Sequence, residues 1–191
     1  MNGNSQEKKP YAQSLSWSNT GIIEILLLMM AGGLAAYMHF NIRIPLNMPG
    51  HHGLEFMAII TLIRLSSKLK YAGTLAMVGT GFILLMPGAG GGTMMHGFSY
   101  MLPGIMMDVA YGASRERLQL LFVIALTAGF AYMLIPLSRL ILNMTTGYPY
   151  MAIVKHGAAY TLLSFFFFGM IGGLLGTGLN SIKNKFIEQK K

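Results

Sequence analysis

Ile22-Ile-Glu-Ile-Leu-Leu-Leu-Met-Met-Ala-Gly-Gly-Leu-Ala-Ala-Tyr-Met-His-Phe40 is apolar almost throughout, with Glu24 near its start and His39 near its end. A helix needs about 20 apolar residues to cross the hydrocarbon core of a bilayer. This stretch therefore predicts a membrane span. A cleaved signal peptide would end in small residues followed by a polar mature chain. Here the apolar run continues to Phe40, and Trp17 precedes it as an interfacial anchor. The span is read as retained.

The rest of the chain has the same character. Of 191 residues, 53% are hydrophobic and only 10% are charged, whereas soluble domains carry about 25% charged residues. The length leaves room for roughly six spans with short loops. The fold class expected is an all-α integral membrane protein, a bundle of six transmembrane helices with both termini cytoplasmic. Residues 1–19 form a cytoplasmic N-terminal segment, 20–182 the transmembrane domain and 183–191 a basic cytoplasmic tail. There is no cysteine, which excludes disulfides, thiolate metal sites and Cys nucleophiles. The net charge of +8 arises from basic residues at span ends, so topology explains it and nucleic acid is not implied.

After the first span, Asn41 to His52 reads as a loop with Pro45, Pro49 and Gly50. A short second span covers Leu54 to Leu65, and a third Tyr71 to Met86. Pro87-Gly-Ala-Gly-Gly-Gly92 cannot continue a helix. It lacks the following Lys-Ser/Thr of a phosphate-binding loop. A fourth span, His96 to Gly112, is expected to be interrupted at Pro103-Gly104. The fifth runs from Leu118 to Pro136 and extends amphipathically to Leu142. Asn143 to Tyr150 is a loop, and the last span covers Ala152 to Leu179.

Six spans place both termini on one side. That side would hold Lys8, Lys9, Arg64, Lys68, Lys70, Arg115, Arg117, Lys183, Lys185, Lys190 and Lys191, the other only Arg43, Arg139 and Lys155. Eleven against three puts the termini in the cytoplasm, in the inner membrane of a cell.

All five histidines then gather at the outer side. His39 ends the first span, His51 and His52 precede the second, His96 starts the fourth and His156 starts the sixth. Glu55 lies just inside the second span, level with Arg43, Arg139 and Lys155. Met38, Met48, Met86, Met94, Met95, Met101, Met144 and Met151 occupy the same layer. Three readings fit. Histidine tolerates an interface and Met is generic filler. Alternatively, an outward-open pocket binds a small organic ligand through His51, His52, Glu55, His96, His156 and Arg43. Or His51, His52 and His96, with thioethers and Glu55, hold a metal such as copper or nickel.

Two carboxylates fall within spans, where charge is expensive. Glu24 can reach the interface near Lys8 or Lys9. Asp108 is expected in the inner half of the fourth span, paired with Arg115 or Arg117 if the helix bends or ends early, and either a helix-end carboxylate in the headgroup layer or a group with a role in transport. No nucleophile–base pair and no catalytic carboxylate dyad stands out, so the chain is not read as an enzyme, and no cofactor is evident.

Ala31-Gly-Gly-Leu-Ala35-Ala36 pairs small residues four apart, Ala31 with Ala35 and Gly32 with Ala36. Such spacing lets a second helix approach closely, within the bundle or from a partner. Ala31 to Ala35 also resembles the alanine motif by which substrate-binding S components of energy-coupling-factor (ECF) importers dock on a shared transmembrane coupling subunit. Tyr100-Met-Leu-Pro-Gly-Ile-Met-Met-Asp108 resembles the Leu-Pro-Gly-x-x-x-Asp pattern of their fourth span, and the six-span architecture is similar over most of the chain.

The resemblance implies capture of a vitamin-like or metal substrate from outside. It also implies docking through Ala31, Gly32, Ala35 and Ala36, with two cytoplasmic ATPases as further partners. This chain has no Walker motif, so ATP hydrolysis would belong to the partners. Two other classes remain open: a non-catalytic subunit anchoring a larger membrane enzyme complex, and a stand-alone His/Met metal permease.

Overall fold

The computed structural model describes residues 19–41, 47–86, 94–113 and 121–189. The helices among them are α1 (Asn19–Asn41), α2 (Gly53–Ser66), α3 (Ala72–Leu85), α4 (Met94–Ala113), α5 (Leu121–Thr146), α6 (Met151–His156) and α7 (Ala158–Glu188). The chain is all-helical there. Three helices are long and apolar enough to cross a membrane: Gly21–His39 within α1, and α5 and α7 in full. Large apolar side chains face outward along them, including Met30 at 70% exposure, Phe122 at 68% and Leu163 at 57%. An apolar surface of that kind suits lipid rather than water.

Neighbouring helices pack in the order α1, α3, α4, α5, α7, and α2 stands among them, touching all five. Hence α2 buries residues on almost every side, from Gly53, Phe56 and Met57 to Ile60, Thr61 and Arg64. It is also short. Its 14 residues span about 21 Å, against about 39 Å for the 26 residues of α5.

Small residues set the spacing of the seams. A Cβ on Gly32 would fall on the Ala76 carbonyl, and one on Gly79 on the backbone of Met29. The α1 and α3 backbones are therefore in direct contact, and Thr80 Oγ1 donates to the Gly32 carbonyl at 2.8 Å. Gly172 of α7 lies equally close to the carbonyls of Gly53 and Leu54. Gly32, Ala35 and Ala36 are thus buried inside the bundle. The face read as a partner-docking surface is met by α3 at Gly32, and Ala31 beside it is half-buried against the core. Packing within the bundle accounts for it.

Three further expectations change. Helix α4 runs unbroken through Pro103, a fully buried residue; packing on both sides holds the turn that the ring would otherwise open. The last apolar stretch is two helices, because Gly157 at φ +83° separates α6 from α7, a conformation that favours glycine. And α7 continues to Glu188, so the basic tail is helical over most of its length.

Arg115 and Arg117, the partners expected for Asp108, lie outside the described residues; among the described residues Asp108 pairs with Arg64. Its Oδ1 accepts from Arg64 Nη1 at 3.1 Å and from the Gly73 amide at 3.0 Å. Its Oδ2 accepts from the Thr74 amide at 2.6 Å and from Thr74 Oγ1 at 2.7 Å. Those amides belong to the first turn of α3, which Tyr71 leaves without a side-chain cap. Asp108 supplies the missing acceptor from another helix. Arg64 also donates to the Leu69 carbonyl at 2.6 Å and stacks on Tyr111 at 4.1 Å. This buried network ties α2, α3 and α4 at one end of the bundle, where Ser67 Oγ also donates to Glu24 at 2.8 Å. Lys8 and Lys9, the neighbours expected for Glu24, lie outside the described residues.

Candidate functional site

The opposite end carries the histidines. There the chain turns at Pro49-Gly50 before α2. Gly50 has φ +80° and lies against the Phe165 ring, and Ser164 Oγ donates to the Pro49 carbonyl at 2.5 Å. Ser164 is six residues into α7, so the turn is seated about 9 Å below the start of that helix. The short α2 thus begins in a recess, and the residues around its first turn form the floor.

On that floor His51 Nδ1 donates to the Met48 carbonyl at 2.6 Å, and His52 Nδ1 donates to Glu55 Oε1 at 3.0 Å. The rings of His51 and His52 lie 4.0 Å apart, and those of His52 and His39 5.0 Å apart. A hydrogen bond of 3.1 Å joins His39 Nε2 to the Tyr100 hydroxyl. Phe56 closes the space between His39, Tyr100 and Tyr132, its ring 5.4, 5.7 and 6.1 Å from theirs. The Arg139 guanidinium lies 5.6 Å from the centre of the Tyr100 ring and 4.8 Å from that of Tyr150. Beside it Ser138 Oγ donates to Ser99 Oγ at 3.0 Å, joining α5 to α4. Burial raises the Tyr150 phenol above its usual pKa, and the Arg139 charge opposes that.

His51, His52 and Glu55 are therefore brought together. His156 is not: it sits on exposed α6, against Tyr160. With Lys155, Met151 and Ala152 it walls an open groove of about 480 Å³, whose other wall is Asn47, Met48 and Pro49. Arg43 lies outside the described residues, and so does the side chain of His96. Of the Met layer, Met48 and Met151 line this groove, whereas Met86 and Met144 are simply exposed.

No group of three or more His, Asp or Glu among the described residues is placed to hold a metal ion. The geometry explains why. The Nδ1 atoms of His51 and His52 are engaged by a carbonyl and by Glu55. These side chains form a chain of contacts rather than converging on one point, as a metal requires.

No protein-family model matches the chain, and no curated protein or solved structure is detectably similar to it.

Four members of the cluster were absent from the binding set drawn from sequence: His39, Tyr100, Arg139 and Tyr150. His39 and Arg139 were legible as members of the same layer. Tyr100 and Tyr150 had no signal beyond being aromatic, because what places them beside Arg139 is the packing of α4 on α5 and the return of the chain before α6.

Proposed function

We propose that this chain is a six-span membrane protein with cytoplasmic termini that captures a small molecule at its outward, histidine-bearing end, as the substrate-binding subunit of an ECF-type importer. The observation that carries the reading is the chain of contacts that links Glu55, His52, His39, Tyr100 and Arg139 across α1, α2, α4 and α5. A few placed polar groups among apolar and aromatic walls are what a small-molecule site needs.

The opposite end suits the cytoplasm, since Arg64, Lys68, Lys70, Lys183 and Lys185 belong to it. The groove between α6 and the Met48–Pro49 turn lies beside His51, whose Nδ1 donates to the Met48 carbonyl. Segment 147–157 above it is bounded by Gly147 and Gly157, both at positive φ and both in open space. In this reading α6 moves to admit the ligand.

Because Gly32, Ala35 and Ala36 are buried within the bundle, a coupling subunit would dock on other surfaces. The lipid-facing stripe of α1, Leu27, Met30, Leu34 and Tyr37, is available for that. Isolation from the native membrane in mild detergent, with identification of the proteins that travel with the chain, tests the assignment. A transmembrane coupling subunit together with two ATPases is the expected result. A set of redox or other enzyme subunits would make the chain a membrane anchor instead.

A further inference from the structure

Two arginines are built into this bundle, and their charges are met differently. Arg64 has Asp108 at 3.1 Å, two carbonyls and an aromatic face. Arg139 has the Tyr100 and Tyr150 rings and a hydrogen bond to the Tyr150 side chain, but no carboxylate. The described residues hold two ion pairs, Arg64–Asp108 and His52–Glu55, and Arg139 belongs to neither. Yet its Nε and Nη2 are buried, with no hydrogen-bond partner among the described residues. Arg139 as a whole is half-buried, but two donors withdrawn from water are expensive unless they are paired.

The two orphaned atoms are not arbitrary. Nε–H and the adjacent Nη2–H point the same way from the planar guanidinium and make one edge of it. That edge matches the two oxygens of a carboxylate, which it takes side-on through parallel, charge-assisted hydrogen bonds. The Tyr100 and Tyr150 rings lie against the guanidinium and hold its plane. Arg139 is seven residues short of the end of α5 at Thr146, about 10 Å below it and so at the depth of the recess floor. The Tyr100 hydroxyl and His39 continue the polar surface from there.

Resting on the ligand-capture reading above, we propose that the ligand is an organic acid whose carboxylate docks side-on against the Nε–Nη2 edge of Arg139. His39, His52 and Tyr100 are then left to recognise the rest of the molecule. A phosphate of a lipid headgroup offers the same oxyanion chemistry from the bilayer, and the experiment separates the two sources.

Wild-type protein, Arg139→Lys and Arg139→Gln are isolated from the native membrane in mild detergent, checked for equal monodispersity and melting temperature, and denatured. The small molecules released are identified and quantified by mass spectrometry. The expected result is a water-soluble carboxylic acid released in stoichiometric amount by wild type. Arg139→Lys keeps the charge and loses the edge, so it should retain about tenfold less or lower still. Arg139→Gln should release none, and if it fails to fold the lysine variant decides alone.

Release of phospholipid as the only anion overturns the proposal. So does equal retention of the acid by wild type and Arg139→Lys. A neutral or cationic molecule released in stoichiometric amount removes the carboxylate while leaving ligand capture standing. Wild type that releases nothing removes both.

Discussion

Asp108→Asn is expected to destabilise the protein by about 3–5 kcal/mol, the loss found when one partner of a buried ion pair is removed. Both side chains are nearly inaccessible, at 2% for Arg64 and 4% for Asp108. The variant leaves the guanidinium without its counter-charge at a buried position. It also weakens the acceptor that caps the first turn of α3 through Gly73 and Thr74. The measurement is the thermal midpoint in detergent together with the yield of monodisperse protein.

A large drop in both is the outcome foreseen. The double variant Arg64→Met/Asp108→Leu should lose less than Asp108→Asn, because no charge is stranded in it. A single variant as stable as wild type would mean that the network is incidental.

Gly32→Leu carries the second large effect. The added Cβ would occupy the place of the Ala76 carbonyl, and backbone cannot rotate away as a side chain can. The α1–α3 seam must open, with the loss of the Thr80–Gly32 hydrogen bond. Overpacking of a filled core costs about 1–3 kcal/mol, and a backbone clash puts this substitution at or beyond the upper end. Leu34→Ala, on the exposed side of the same helix, should leave the midpoint almost unchanged; equal losses in the two variants would contradict the assigned faces. The same geometry bears on Ala35, which is fully buried. An Ala35→Leu protein that failed to assemble with a partner would be reporting a disturbed bundle, not a blocked docking surface.

That pair of cases shows how far sequence reasoning reached and where it stopped. The apolar run from Ile22 placed α1 within a few residues of its observed ends, since hydrophobicity is a local property. Small residues four apart said that something would approach α1 closely, but spacing on one helix holds no information about which helix arrives. Asp108 is the same problem in polar form. Its nearest basic residues in sequence were natural candidates, whereas Arg64 lies 44 positions away and reaches it only because α2 sits beside α4.

Local chemistry misled at two other points. Pro103 was expected to break α4, yet a buried proline in a packed helix need not. Gly157 was passed over inside an apolar run, although its positive φ divides that run in two. The candidate site divided likewise. His51, His52 and Glu55 were legible because a Pro-Gly turn and a helix start hold them together over a few residues. The aromatic seats of Arg139 come from α4 and from the segment before α6, and only the packing of α5 on α4 assembles them.

The central claim is that the histidine-bearing end faces outward and the Arg64–Asp108 end faces the cytoplasm. The chain contains no cysteine, so single cysteines can be introduced without a background. Met48→Cys lies in the groove beside His51, and Lys185→Cys near the end of α7, both exposed. Intact cells are treated with a membrane-impermeant maleimide and compared with permeabilised cells. The account predicts that Met48→Cys is labelled in intact cells and Lys185→Cys only after permeabilisation. Labelling of Lys185→Cys alone in intact cells would invert the molecule and contradict the claim.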